Sequence, residues 1–374
     1  MLSASIWKAL KNVTSKFTTG FLMALFIAVS ALGFLGITSQ AMAGDCNDTA
    51  REAFAACEAE AQDDYHIARG NCRNLSDDDD RDACFVSAEE ELAEALELCP
   101  EQRGARLDLC GDLGDVPYDP IIDPDDFVDF EDVGAFTPNP YFPLVSGTVR
   151  DYEVTDDGGE VIEKIKVEVL DETKEILGVN CIVVRDRVWE IDEDGEKSLI
   201  EDTFDWYAQD LTGNVWYFGE ISKEFEDGEL VSLAGSWKSG VDGAKPGILM
   251  WGYPAGPDSA PPQAVYRQEF FLGEAEDIGE FVGFVDAIAV RGVTYRNVLK
   301  TKDYTPIDPA VFEYKYYAPG VGVILEEGFE DGDSTGEQVE LVKMKIIGGD
   351  DDDDDDHDDD DHKRRRHRKY RRRH

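Results

Sequence analysis

Six of the seven cysteines lie between Cys46 and Cys110, and their positions are mirror-symmetric: 46 with 110, 57 with 99 and 72 with 84 all centre on residue 78. A chain folded back on itself at that point brings them together as three nested pairs. The segments between them support this. Residues 47–69 are rich in Ala and Glu, and Ala50, Phe54, Cys57, Ala61 and Tyr65 recur at helical spacing. After a polar turn, where Ser76 and Asp79 make an imperfect capping box, Cys84, Ala88, Leu92, Ala95 and Cys99 form the matching stripe. Cysteines 11 or 15 residues apart in one helix stand roughly 16–22 Å apart along its axis and cannot bond to each other. Two antiparallel helices instead pair Cys46–Cys110, Cys57–Cys99 and Cys72–Cys84. Pro100 ends or kinks the second helix, or opens a short continuation through Leu107 to Cys110. So small a hairpin buries little core, and disulfides worth roughly 2–4 kcal/mol each carry its stability. Metal ligation is the rival reading, but it lacks a CxxC pair or a neighbouring His cluster.

Disulfides need an oxidising compartment, and the N-terminus supplies an address. Lys8, Lys11 and Lys16 precede an uncharged apolar run from Phe21 to Ile37, followed by Ala41-Met42-Ala43. Residues 1–43 therefore read as a secretory signal cleaved after Ala43; the alternative is an uncleaved anchor, for which the run is slightly short. Asp45 before Cys46 argues against a lipoprotein. No membrane span is expected in the mature chain, and the expected location is secreted or periplasmic. The net charge is -46, with 71 acids against 24 bases in residues 44–349. So negative a body repels nucleic acid and anionic lipid, making both poor partners, and suits calcium-rich or salty surroundings.

Residues 44–111 are thus a disulfide-bonded helical hairpin, and 112–140 an acidic linker punctuated by prolines, in which Ile121-Ile122 and Phe127–Phe130 are potential docking points. From 141 to 347 short runs of Val, Ile, Tyr, Phe and Trp alternate with Asp-Gly and Gly-Asn turns. Strands are expected at 147–155, 160–170, 179–190, 198–209, 215–220, 229–235, 264–271, 284–290, 292–302, 310–318, 320–327 and 337–347. Phe204, Trp206 and Ala208 share one face of theirs. Residues 273–283 are the one plausible helix here, and the Pro/Gly-rich 239–263 a lid or surface insertion. Close spacing argues for an antiparallel meander curled into a barrel or half-barrel, an α+β chain overall. Residues 348–374, eleven Asp with two interspersed His and then a basic block, read as a disordered tail.

Function is less legible. The strand domain has no histidine: His66 lies on the first helix and the other four in the tail. That removes Ser-His-Asp and Cys-His catalysis from it, together with His-based metal sites, and no catalytic residue is assigned. Cys181 has no basic neighbour in sequence and reads as a buried free thiol. Carboxylates that could serve glycoside hydrolysis are so abundant that no pair stands out. The densest aromatic–acid cluster is Asp205, Trp206, Tyr207, Asp210, Trp216 and Tyr217. Within it Trp206, Tyr207, Trp216 and Tyr217 are the candidate ligand-binding residues, against the plainer reading of two neighbouring strands with buried aromatics. Glu190, Asp192, Asp194, Gly195 and Glu201 follow EF-hand spacing, yet flanking strands favour a hairpin turn; Asp78, Asp80, Asp82 and Glu89 favour a capped helix start. In the tail, Asp356, His357, Asp361 and His362 are the candidate ligands for calcium or another divalent cation, and the basic block a contact for anionic surface polymers. The alternative is a solvated tail whose halves neutralise each other.

Pro140-Tyr141-Phe142-Pro143-Leu144, Asp205–Asp210, Asn214–Glu220, Lys245-Pro246-Gly247 and Tyr317–Gly322 together resemble a group of exported bacterial proteins of unknown function, over about residues 140–327. The resemblance implies export and a β-rich domain and brings no catalytic residue. The expected function is an exported, non-enzymatic binding module whose β domain holds a small apolar or extended ligand. The alternative is a structural, surface-associated protein whose tail contacts divalent cations or anionic surface polymers. A hydrolase using two carboxylates is more remote.

Overall fold

Two long helices form the hairpin, α1 over Cys46–Cys72 and α2 over Asp78–Leu113. All three nested disulfides are present, with Cα–Cα distances of 5.6, 5.8 and 5.5 Å from Cys46–Cys110 to Cys72–Cys84. Asp77, not Ser76, caps α2: its carboxylate accepts from Asp79 N and Asp80 N, and three further acids in the first turn suit the helix's positive end. The helix continues through Pro100. Two anchors flank the missing hydrogen bond there. Cys99 is tied to Cys57 immediately before the proline, and Gln102 Nε2 donates to Ile307 O of the β domain just after it. The computed structural model describes residues 46–130, 134, 136–252 and 261–347. The proposed signal segment and the tail, with Asp356, His357, Asp361 and His362, lie outside the described residues.

The linker docks on the β domain over much of its length. A 3-10 turn at Pro124–Asp126 sets Phe127 beside Asp210 in an isolated bridge, and Val128 N donates to Gln209 O. Ile122 and Phe127 pack on the sheet's outer surface and Phe130 against its main core, while Ile121 stays 95% exposed.

The sheet is an antiparallel meander. β1 (Thr148–Thr155), β2 (Val161–Ile176), β3 (Val179–Ile191), β4 (Lys197–Gln209) and β5 (Val215–Ile221) follow in order. Three short strands hang on β4 and β5: β6 (Glu224–Glu226), β7 (Glu229–Ser232) and β8 (Trp237–Lys238). β9 (Lys245–Met250) pairs with β5, so the stretch read as a lid or insertion supplies a strand. Its Ile248, Leu249 and Met250 are buried, which drives it into the sheet despite the surrounding Gly and Pro. β10 (Val265–Arg267) and β11 (Glu269–Phe270) come next, then β12 (Ile278–Val290), β13 (Val293–Tyr304), β14 (Val311–Ala318), β15 (Gly322–Glu330) and β16 (Asp333–Ile346). The helix expected over 273–283 is absent. A turn at 272–274, closed by the Phe271–Ala275 bridge, leads into β12, where the apolar residues from Ile278 onward are drawn into pairing with β10 and β13.

Lateral order runs β10-β12-β13-β14-β15-β16-β1-β2-β3-β4-β5-β9-β11. The two ends of this list are one piece of chain. Val265–Arg267 pairs with β12, and Glu269–Phe270, beyond Gln268, pairs with β9. A single segment therefore draws the two edges together and makes the sheet barrel-like and nearly closed. Gly247 marks the tightness of that seam: a Cβ there would lie 2.5 Å from Arg267 O and from Gln268 C.

Candidate functional site

Alternation along β3 to β5 gives the wall two buried faces. Ile182, Val184, Val188, Tyr207, Val215 and Tyr217 point into the main core within the barrel. Cys181, Val183, Trp206, Ala208 and Phe218 form a smaller outer core roofed by Ile122 and Phe127 of the linker. The four candidate aromatics are therefore divided. Tyr207 and Tyr217 stack inside with ring centroids 4.8 Å apart, and Trp237 meets Tyr217 edge-on. Trp206 lies outside with Lys174 Nζ 3.5 Å above its ring. Trp216 faces Phe127 and donates from Nε1 to Asp210, whose carboxylate also receives Thr212 N, Thr212 Oγ1, Asn214 N and Asn214 Nδ2. Asp210 thus organises the β4–β5 turn. Asp192 does the same for the β3–β4 turn, accepting from Asp194 N and Glu196 N. Among the described residues, no group of three His, Cys, Asp or Glu could hold a metal ion. Cys181 is free and buried, and burial pushes its thiol up.

The barrel's inner wall is unusually acidic. Among the described residues eleven acids are buried against three bases, and several of those acids lie along the inner wall and act on one another. Asp205 stands opposite Glu220 across β4–β5, and Lys315 opposite Glu326 across β14–β15. Like charges about 4 Å apart repel by about 4 kcal/mol even at an effective dielectric of 20, so the acids cannot all ionise. Burial, then Glu201, raises Asp186; burial, then Asp205 and Glu269, raises Glu220; burial, then Asp277, raises Glu269. Asp277, still partly open to solvent, is pushed up to about 6 by burial, with Lys315 opposing. Asp205 also rises through burial, opposed by the phenols: Tyr217 OH donates to its Oδ1 at 2.7 Å. Lys315 is the counterweight. Burial works against its charge, but Asp303 at 3.2 Å, Glu326 and Glu313 prevail and raise it. This interior can store protons but offers little space. The cavity beside Asp205 and Tyr207 is about 10 Å³, the size of one water.

Space exists at the seam. A cleft of about 230 Å³ opens where the first turn of α1, the end of α2 with the start of the linker, and the closing segment converge. Cys46 and Thr49 line it from α1, Leu113 from the last turn of α2, Gly114, Val116, Pro117 and Tyr118 from the chain after it, and Gln263, Arg267 and Phe270 from the closing segment and its approach. Each wall is pinned. Cys46 is bonded to Cys110, Asn47 N donates to Asp115 Oδ1, and Tyr118 is held by its hydroxyl on Pro246 O and by Lys245 Nζ on its carbonyl. Arg106 of α2 makes a buried pair with Glu276, NH2 to Oε1 at 2.7 Å and Nε to Oε2 at 3.1 Å. Tyr118 and Phe270 meet edge to face at 5.6 Å, and the Arg267 guanidinium lies over both rings, 5.4 and 4.8 Å from their centres. Apart from Cys46, singled out for its disulfide, none of these cleft residues stands out in the sequence. The available signal was Tyr118, a lone aromatic among the linker's prolines.

No family model and no curated protein matches this chain. Among solved structures it is similar to a candidate exported protein with a YmcC-like fold from Bacteroides fragilis, at 13% identity, over 55% of this chain and 99% of that one, with a TM-score of 0.33. A candidate lipoprotein from Parabacteroides distasonis gives 12% identity, 56% and 100% coverage, and a TM-score of 0.31. Neither is near enough to assign a role to any residue. The three disulfides themselves fit an oxidising compartment outside the cytoplasm, and among the described residues no helix is long and apolar enough to cross a membrane.

Proposed function

We propose that the chain is an exported, non-catalytic binding module whose ligand is a small apolar molecule held in the seam cleft. The single observation that carries this reading is the contrast in space, about 230 Å³ at the seam against about 10 Å³ inside the barrel. Ligand sites are concave, largely apolar and preformed at junctions between structural units, and this cleft has Leu113, Val116, Tyr118 and Phe270 on its walls. Tyr207 and Tyr217 serve as packed interior, and Trp206 and Trp216 as the sheet's contact with the linker, so a ligand on those four would have to displace side chains. The test is a fluorescence titration with the neutral dye N-phenyl-1-naphthylamine. One saturable site is expected in the native chain, lost in Val116→Trp, which fills the rim from a position 62% exposed and therefore spares the fold. Unsaturable binding, or equal binding by the variant, overturns the proposal. The surface-associated reading rests on the tail's composition; deleting residues 350–374 tests it through cell-surface retention and divalent-ion binding.

A further inference from the structure

We infer that Arg267 makes this cleft selective for a small organic monocarboxylate carrying an aromatic or short apolar body. The inference rests on the cleft being the ligand seat and adds the chemistry of its ligand. Arg267 NH1 is buried and has no hydrogen-bond partner. A buried cationic donor left without an acceptor is costly, so one that persists beside an open cleft is poised for an acceptor arriving from outside. Glu276, the carboxylate whose charge acts on Arg267, does not fill that role. Glu276 receives Arg106 on both oxygens, from Nε and NH2, and also accepts Gly273 N at 2.8 Å. Arg106 is thereby satisfied and Arg267 is left with spare donor capacity.

The rings explain why the body of the ligand should be apolar. Tyr118 and Phe270 hold the guanidinium plane against their faces, fixing its donors while covering its flanks. Tyr118 spends its hydroxyl on Pro246 O, so its ring offers surface and no competing donor. The cleft, about 230 Å³ against the one-water cavity beside Asp205, has room for a ligand the size of phenylacetate. A carboxylate on the Arg267 guanidinium with a phenyl group against Tyr118 and Phe270 matches both the size and the division of polarity. Inorganic anions would leave the apolar walls uncovered.

The probes are phenylacetate and its neutral isostere phenylacetamide, titrated calorimetrically into the oxidised full chain, beside Arg267→Gln and Val116→Trp. Phenylacetate is expected to bind one site at least about tenfold more tightly than phenylacetamide. Arg267→Gln should bring the two ligands to equal affinity, and Val116→Trp should remove binding of both and of N-phenyl-1-naphthylamine. Equal affinities in the native chain, or a preference for phenylacetate that survives Arg267→Gln, overturn the inference. If the dye binds and neither probe does, the carboxylate assignment fails while the cleft stands; if the dye fails too, both fall. Should Arg267→Gln not fold, the comparison of the two probes on the native chain decides alone.

Discussion

The hairpin and the barrel solve the same stability problem with different chemistry. The hairpin has a thin core: of the buried residues on α1, two are disulfide cysteines and the other three are alanines. Its three disulfides close loops of 64, 42 and 12 residues and restrict the unfolded chain instead. The barrel needs no staple. One continuous core runs through β1 to β5 and β13 to β16, but that core encloses acids that folding must keep protonated or pair with Lys315. One half is thus held by bonds sensitive to reduction, the other by a packed interior sensitive to pH. The difference teaches where a ligand seat can form. The cavity beside Asp205 and Tyr207 inside the barrel is about 10 Å³, against about 230 Å³ at the junction.

The largest expected effect comes from unstapling the hairpin. Replacing Cys57 and Cys99 by Ser releases the 42-residue loop and should cost the hairpin about 4 kcal/mol. Helical circular dichroism should fall while the barrel's near-ultraviolet signal, from Tyr207, Tyr217 and Trp237, persists. Simultaneous loss of both signals would break the comparison, because it would make the two halves one cooperative unit.

A smaller effect sharpens the barrel's side. Asp186, Glu220, Glu269 and Asp277 all have folded pKa values raised above the ordinary carboxyl range near 4, so the folded state binds more protons than the unfolded chain at mildly acidic pH. Stability contributed by these groups is therefore full below about pH 4 and is lost as pH rises through about 6, where Asp277 titrates, and beyond for the others. The barrel's unfolding midpoint should fall between pH 5 and 8. Asp186→Asn, which cannot ionise, should lose less stability than the native chain between pH 5 and pH 8. A midpoint that rises with pH would mean that the interior acids are already ionised and satisfied.

Legibility follows the same division. The disulfide ladder could be read because helix geometry forbids pairing within a helix and mirror spacing permits it across two. The strands from 147 to 209 could be read because alternation and turn residues agreed. The closing segment could not: nothing in Val265–Phe270 signals that its halves serve opposite edges of the sheet. On β4 the alternation of Phe204, Trp206 and Ala208 with Thr203, Asp205 and Tyr207 ordinarily separates core from solvent. Here the apolar set lies under the linker and the polar set faces the barrel interior. In a chain with 82 acids, the few that are buried carry no mark of it. The cleft was illegible for a related reason, since its walls come from three separate segments, 46–49, 113–118 and 263–270, that only the docked hairpin brings together.

The seam is most directly tested by loosening its wall without touching the barrel. Cys46→Ser/Cys110→Ser removes the disulfide beside the cleft and leaves the other two rungs in place. Titrated with N-phenyl-1-naphthylamine beside the native chain, the variant should bind at least about tenfold more weakly, while the barrel's near-ultraviolet spectrum and unfolding midpoint stay unchanged. Undiminished binding by the variant would place the ligand away from the seam and contradict the account.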